Sequence, residues 1–293
     1  MKNILFIILT IVLITACNQK SINHKPANKK IKVFLFAGQS NMEGRADGDK
    51  LSKADLDALK KAGEKIDFYY NHKPVTPLQL TTPTNYVQKK FGLTHCFGPE
   101  IFFGINLTQK YPDDKFVFIK RSQGGTSLYG CWNPYWDIEK AKLMGEENKP
   151  KLFSDFIQYT KDVLSQFDTS GYEICGMLWV QGESDSGTKK HGKLPSETYE
   201  ENLKNLIFEV RKQLNKPELP FIMFQVGSGK VVEGMKNIAK EDNKVSLIPQ
   251  SNDKNSPDYY PKNPPPIGHY VTESMKRIGI KFFETWEANY KCK

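Results

Sequence analysis

Four apolar runs constrain what this chain can fold into: Val33–Ala37, Phe116–Lys120, Ile174–Val180 and Pro220–Val226. Each is short, rich in aromatic or β-branched residues and apolar at nearly every position, the pattern of a strand covered on both sides. Val245–Ile248 reads as a short fifth strand. Between and after them lie segments with helical spacing. Pro99–Lys110 is stopped by Tyr111-Pro112, Phe153–Phe167 follows, Ser196 caps a long helix to Leu214, and Thr272 opens a terminal helix to about Tyr290. Strands joined through helices need crossover connections, so the pattern predicts an α/β fold with a mostly parallel sheet. Two stretches break the alternation and are expected to form irregular rims: residues 43–98, with many charges, Pro and Thr, and residues 249–268, rich in Pro, Asn, Asp and Tyr.

The beginning of the chain follows a different rule. A basic Met1-Lys-Asn precedes Ile4–Ile14, apolar except for Thr10, and Ile14-Thr-Ala-Cys17 follows. A small residue before a cysteine at that point reads as a lipobox, and the apolar core is short for a membrane span. The expectation is a signal peptide over residues 1–17 with lipidated Cys17, a polar tether over 18–30, and one domain over 31–293. Such a chain is an exported bacterial lipoprotein of the cell envelope, held to its membrane through the lipid. Of the formal charge of +9, five lysines lie before residue 31, which leaves +4 for the domain. That ordinary value, with no aromatic-basic interleaving and no zinc-finger spacing, argues against nucleic acid as a partner. Cys96, Cys131, Cys175 and Cys292 could form one or two disulfides in an oxidising compartment. Cys175, inside a strand-like run, reads as a buried free thiol, and no cysteine pair has metal-ligand spacing.

Chemistry gathers where the strands end. The first run stops in Gly38-Gln39-Ser40-Asn41, which places Ser40 at the carboxyl edge of the sheet, where open α/β sheets keep reactive groups. A serine nucleophile needs a base, a group that orients the base, and donors for an oxyanion. After the second run comes Gly124-Gly125-Thr126-Ser127-Leu128, whose paired glycines expose backbone N–H groups; either glycine, with the Ser40 N–H, could form an oxyanion hole. After the third comes Gln181-Gly182-Glu183-Ser184-Asp185, with an amide that could donate to an oxyanion and carboxylates that could orient a histidine. Of five histidines, His24 lies in the tether, His191 in a charged loop, and His72 and His95 in the first interrupting stretch. His269, in the late loop before the terminal helix, is the favoured base, because it can return over the sheet edge to Ser40. Rim positions expected to meet a substrate are Gln39, Arg121, Trp132 and Asp185, with Trp136, Tyr259 and Tyr260.

These four blocks, in this order, resemble the SGNH-hydrolase superfamily and, within it, the sialate O-acetylesterase and carbohydrate esterase family six group. Gly98-Pro99-Glu100 before the first long helix fits the same pattern. The resemblance spans residue 32 to the end of the chain. It implies a flavodoxin-like three-layer α/β/α sandwich, no metal or other cofactor, and removal of acetyl esters from a carbohydrate such as acetylated xylan. By position it implies Ser40 as nucleophile, His269 as base, Gly124 or Gly125 with Gln181 at the oxyanion, and Glu183 as acid. Many relatives carry Asp three residues before the histidine, where this chain has Pro266. Glu183 then takes that role, or another acid such as Asp258 reaches in. A sialate O-acetylesterase and a non-catalytic glycan-binding surface lipoprotein on the same scaffold are the alternatives. Replacing Cys17→Ser is expected to move the protein from the membrane to the soluble fraction of cells, and persistence in the membrane would sink the lipid-anchor reading.

Overall fold

Residues 30–265 and 267–292 are described by the structure, a computed structural model; the leader with Cys17, the tether as far as residue 29, and Pro266 lie outside the described residues. Nine strands occur among them: β1 (Ile31–Gly38), β2 (Ala46–Asp47), β3 (Ile66–Tyr70), β4 (Thr76–Pro77), β5 (Cys96–Phe97), β6 (Phe116–Ser122), β7 (Tyr172–Val180), β8 (Phe221–Phe224) and β9 (Val245–Ile248). Seven form one sheet in the order β4-β3-β6-β1-β7-β8-β9, while β2 and β5 pair separately. Every neighbour in the large sheet runs parallel except β3 with β4. The helices Lys53–Gly63, Glu100–Lys110 and Thr272–Asn289 pack together, and Leu152–Leu164, Tyr199–Gln213 and Lys230–Glu241 form a second group. The predicted α/β sandwich is the fold observed.

The strand order positions the site. From β1 the chain crosses outward to β3, returns to β6 beside β1, and then passes to β7 on the other side of β1. The loops after β6 and β7 therefore flank the end of β1, which is the switch point where such sheets bind ligands. Apolar burial holds this order. Phe34 of β1 meets Phe103 and Trp286 edge-on at 4.9 and 5.0 Å between ring centroids. The Trp286 indole N–H donates to the Cys175 carbonyl at 3.0 Å. Trp179 of β7 packs edge-on against Trp132 at 5.2 Å.

Three expectations are corrected. Residues 43–98 are not an irregular rim: they hold the helix Lys53–Gly63, with a Ser52–Asp55 capping box, and β3, which joins the main sheet. β3 reads Ile-Asp-Phe-Tyr-Tyr, and its charged residue obscures an alternation of buried and exposed positions. The predicted Ser196–Leu214 helix is two helices, Leu194–Glu197 and Tyr199–Gln213; Ser196 lies inside the first and its hydroxyl donates to the Lys193 carbonyl. Cys175 is not a free thiol. It is bonded to Cys292 across 117 residues, whereas Cys96 and Cys131 are free and buried. The strand pattern that suggested a free thiol carries no information about a partner near the end of the chain.

Candidate active site

Gly38 ends β1 with φ +150°, and a Cβ there would sit 2.1 Å from the Val180 carbonyl oxygen of β7. Only glycine allows that approach. The chain then turns, the Gln39 N–H donates to Val180 O at 3.0 Å, and Ser40 opens the four-residue helix Ser40–Glu43. On the other side the Gln123 N–H donates to Gly38 O at 3.2 Å. The glycine pair after β6 is thereby drawn to the serine: a Cβ on Gly124 would lie 3.4 Å from the Ser40 Cβ. Ser40 is partly exposed beside this backbone.

The oxyanion candidates differ in availability. The Gly124 N–H donates to Glu43 Oε2 at 2.7 Å, and the same oxygen accepts from Arg45 Nη2 at 2.7 Å. Gly125 is exposed at φ +65°, a conformation suited to glycine, and its carbonyl accepts from Lys149 at 2.6 Å. Gln181, expected as an oxyanion donor, is fully buried. Its amide nitrogen lies within hydrogen-bond reach of Asp185 Oδ2 at 2.6 Å, Thr126 O at 3.2 Å and Gln39 Oε1 at 3.3 Å. Two amide hydrogens are already outnumbered by those acceptors, so Gln181 braces the loops instead of facing a ligand.

Four expected substrate contacts are likewise structural. Trp132 is fully buried, with its indole N–H on Thr126 Oγ1 at 3.2 Å. Gln39 is buried, and its Oε1 accepts from Ser184 N as well as Gln181. Arg121 is buried, paired with Asp155 and directed also at Asn71 Oδ1 and Ser122 O. Asp185, 1% exposed, accepts from the backbone N–H groups of Leu128 and Tyr129, both at 2.9 Å. Burial pushes Asp185 up to about 7, against the pull of Gln181 and the two amides. Glu146 holds the same loop from another side, accepting from Ser127 N, Ser127 Oγ and Cys131 N. Tyr260 is buried against Phe224 at 5.0 Å, while Tyr259 and Trp136 are half-buried, the latter beneath the Lys151 ammonium at 4.0 Å.

Glu183 and His269 stand apart from these satisfied groups. Glu183 Oε1 accepts from Asn41 Nδ2 at 2.7 Å, and its Oε2 is buried without a hydrogen-bond partner. Burial raises the Glu183 carboxyl above its usual range, opposed by its own backbone N–H, Lys262 and Asn41. His269 presents its ring to the edge of Phe91 at 5.2 Å between centroids, and its Nδ1 is buried without a well-formed hydrogen bond. Burial, then Arg45 and Lys262, hold the imidazole down at about 4; the Ile267 carbonyl opposes them to a lesser degree. Among the described residues no hydrogen bond joins His269 to Ser40 or to Glu183. Asp258, the other acid considered, forms none to His269 either, its backbone carbonyl accepting from Ser251 N. His72 is bound to Asp155, His95 to Asp49 and His191 to the Leu143 carbonyl. Among the described residues, the one close group of metal-ligating types is Glu173, Cys175 and Cys292, whose sulfurs are joined in the disulfide.

Several site residues had escaped sequence reasoning. Asn41 links the serine turn to Glu183, and Glu43 links it to Gly124; both sit within one turn of Ser40, and that spacing was the available signal. Asn71 could not be anticipated. At φ +49°, which Asn tolerates better than most residues, it accepts from Ser122 N at 3.0 Å and donates to Ser122 O at 2.9 Å, clamping the end of β6.

The chain matches the family described as carbohydrate esterase, sialic acid-specific acetylesterase, over residues 30–287. A probable carbohydrate esterase from Arabidopsis thaliana is 22% identical over 280 residues, covering 88% of this chain and 91% of that protein. A solved Arabidopsis thaliana structure superposes with a TM-score of 0.61 at 20% identity, over 90% of this chain and 100% of that one. The NanS structure gives 0.59 at 13% identity, over 89% and 98%. A carbohydrate acetylesterase from Xanthomonas citri gives 0.56 at 14% identity, over 88% of this chain and 56% of that one. At these identities the superpositions speak for the shared fold. For the loop that lies against Ser40, replacing Asp185→Asn sets an amide against two backbone donors. The expected loss is about 1–3 kcal/mol of unfolding free energy, with faster hydrogen exchange at Leu128 and Tyr129; unchanged stability and exchange would show that Asp185 does not hold the loop.

Proposed function

We propose, since the chain belongs to the carbohydrate esterase, sialic acid-specific acetylesterase family, that it removes acetyl groups from an O-acetylated carbohydrate with Ser40 as the nucleophile. The observation that carries this reading is the meeting of three strand ends around one partly exposed serine. β1 delivers Ser40, β6 delivers the Gly124 backbone against it, and β7 delivers Glu183 through Asn41.

In the proposed reaction His269 takes the Ser40 hydroxyl proton as the oxygen attacks the acetyl carbonyl. The carbonyl electrons move to an oxyanion facing the Ser40 N–H and the glycine loop. Collapse returns them, breaks the bond to the sugar oxygen, and His269 gives its proton to that leaving alcohol. Water, deprotonated by His269, then attacks acetyl-Ser40 and releases acetate. Two buried atoms support the assignment of the acid. Glu183 Oε2 has no donor and His269 Nδ1 no well-formed hydrogen bond, and in this reading a carboxylate–imidazole bond forms between the two residues as substrate binds. In free enzymes such bonds are often long and tighten with substrate.

A specific feature bears on the sugar. Arg45, Lys262 and Lys90 all act on His269; Arg45 is already paired with Glu43, so Lys262 and Lys90 are what make the field at the base positive. That field favours an acidic sugar, such as O-acetyl sialic acid, over a neutral polymer such as acetylated xylan. Acetate release by the wild type and by Ser40→Ala on both substrates tests the reading. We expect loss of about 10³-fold or more in the variant, and a kcat/KM preference for the acidic sugar. A wild type inactive on both would favour a glycan-binding role, and activity surviving in the variant would exclude Ser40. The pH profile adds a second check. The base works neutral, and its value near 4 lies below the ordinary 6.5, so kcat/KM should stay level down to about pH 5 and fall below it. Lys262→Gln should move that acid limb upward; a limb already at 6.5 in the wild type would exclude His269 in this environment.

A further inference from the structure

The central sheet carries a fully buried ammonium where an apolar side chain would be expected. Lys120 lies in β6, opposite Phe36 of β1 and Tyr70 of β3, and it is fully buried. Its ammonium lies 2.7 Å from Glu100 Oε2, and both side chains are at most 1% exposed. Removing two charges from water is costly, and an apolar pair of the same volume often serves stability as well or better. Stability alone therefore gives little reason for this pair.

Its contacts give another. Lys120 Nζ donates to the backbone carbonyl of Glu43 at 3.2 Å, the last residue of the turn that begins at Ser40. A helix of four residues retains almost no bonding of its own. Its closing bonds are Glu43 N to Gln39 O and Gly44 N to Ser40 O. A cation at its carbonyl end satisfies an orphaned acceptor and holds the end in place. Glu100 in turn accepts from the Gly98 N–H at 3.2 Å. A Cβ on Gly98 would lie 2.5 Å from Glu100 Oε2, 2.7 Å from Met42 O and 3.2 Å from Lys120 Nζ. Gly98 thus leaves the opening through which the ion pair touches the underside of the serine turn. Glu43, whose carbonyl Lys120 holds, uses its carboxylate to hold Gly124 N and Arg45.

We infer that the buried Lys120–Glu100 pair is a positioning device for the nucleophile: it pins the Ser40–Glu43 turn from below and, through Glu43, sets the glycine loop beside Ser40. The inference rests on the reading of Ser40 as nucleophile. It gives Gly98-Pro99-Glu100 a role in which the glycine provides clearance and the acid holds the lysine.

The test compares the wild type with Lys120→Met and the double variant Lys120→Met/Glu100→Gln, in which no unpaired charge is buried. Three quantities are read: cooperative thermal unfolding, kcat and KM for acetate release from p-nitrophenyl acetate, and the rate at which a fluorophosphonate labels Ser40. The double variant should unfold cooperatively near the wild-type temperature. Its kcat and its labelling rate should both fall by about 10- to 100-fold, as for a nucleophile displaced by a fraction of an ångström to an ångström, with KM within about twofold. A folded double variant with wild-type kcat and labelling would overturn the proposal. So would a double variant that does not fold, because the pair would then serve the sheet and not the serine. A wild type that takes no label on Ser40 would remove the premise itself, and that outcome is distinct from any effect at Lys120.

Discussion

Everything at the carboxyl edge of the sheet depends on how closely β1 approaches its two neighbours at Gly38. That residue bonds to the strand ends on both sides: its carbonyl accepts from Gln123 N, and the next N–H donates to Val180 O. A side chain at Gly38 would collide with Val180 O at 2.1 Å and push β7 away. With β7 would go Gln181, Glu183 and Asp185, and with them the brace on the loop that carries Gly124. The serine turn, the glycine loop and the segment that carries Glu183 are three parts of one backbone junction, whose geometry is set by van der Waals contact and two hydrogen bonds.

Around that junction the protein buries carboxylates and uses almost all of them as acceptors for backbone donors. Asp185 takes Leu128 and Tyr129, Glu146 takes Ser127 and Cys131, Glu43 takes Gly124, and Glu100 takes Gly98. Bonds from amides to a charged acceptor are stronger than neutral ones, and they restrain segments that have no regular secondary structure. Glu183 Oε2 and His269 Nδ1 are among the buried polar atoms left without a hydrogen-bond partner, as are Tyr159 OH and Trp179 Nε1 elsewhere in the core. Gln181, Trp132 and Arg121 are unavailable to a substrate because their polar atoms are already engaged in holding loops.

The fold was legible because its strands are apolar on both faces and its long helices are amphipathic; β1, β6, β7, β8 and β9 all lie where the runs lie. β3 and the helix Lys53–Gly63 were not, since Asp67 and the lysines and acids of that stretch mask their buried positions. At the site, the position of Ser40 could be read from a glycine after an apolar run, and the neighbourhood of Gly124 from paired glycines after the next. Trp132, Arg121 and Asp185, expected at the rim, are buried instead, for one physical reason. Residue type predicts what a side chain can bond to, whereas burial depends on what packs over it, and Trp132 and Asp185 are covered by segments far away in the chain.

Sequence alone determined the class of sheet and the strand-end location of the serine, because periodicity and residue chemistry are local properties. Only the tertiary structure decided that β6 and β7, and not other strands, lie on either side of β1, that Cys175 pairs with Cys292, that Gln181 faces inward, and that Lys120 lies beneath the serine turn. Those facts are contacts between segments tens of residues apart or more. They depend on which crossover fills which side of the sheet, and no spacing within a single run encodes that choice.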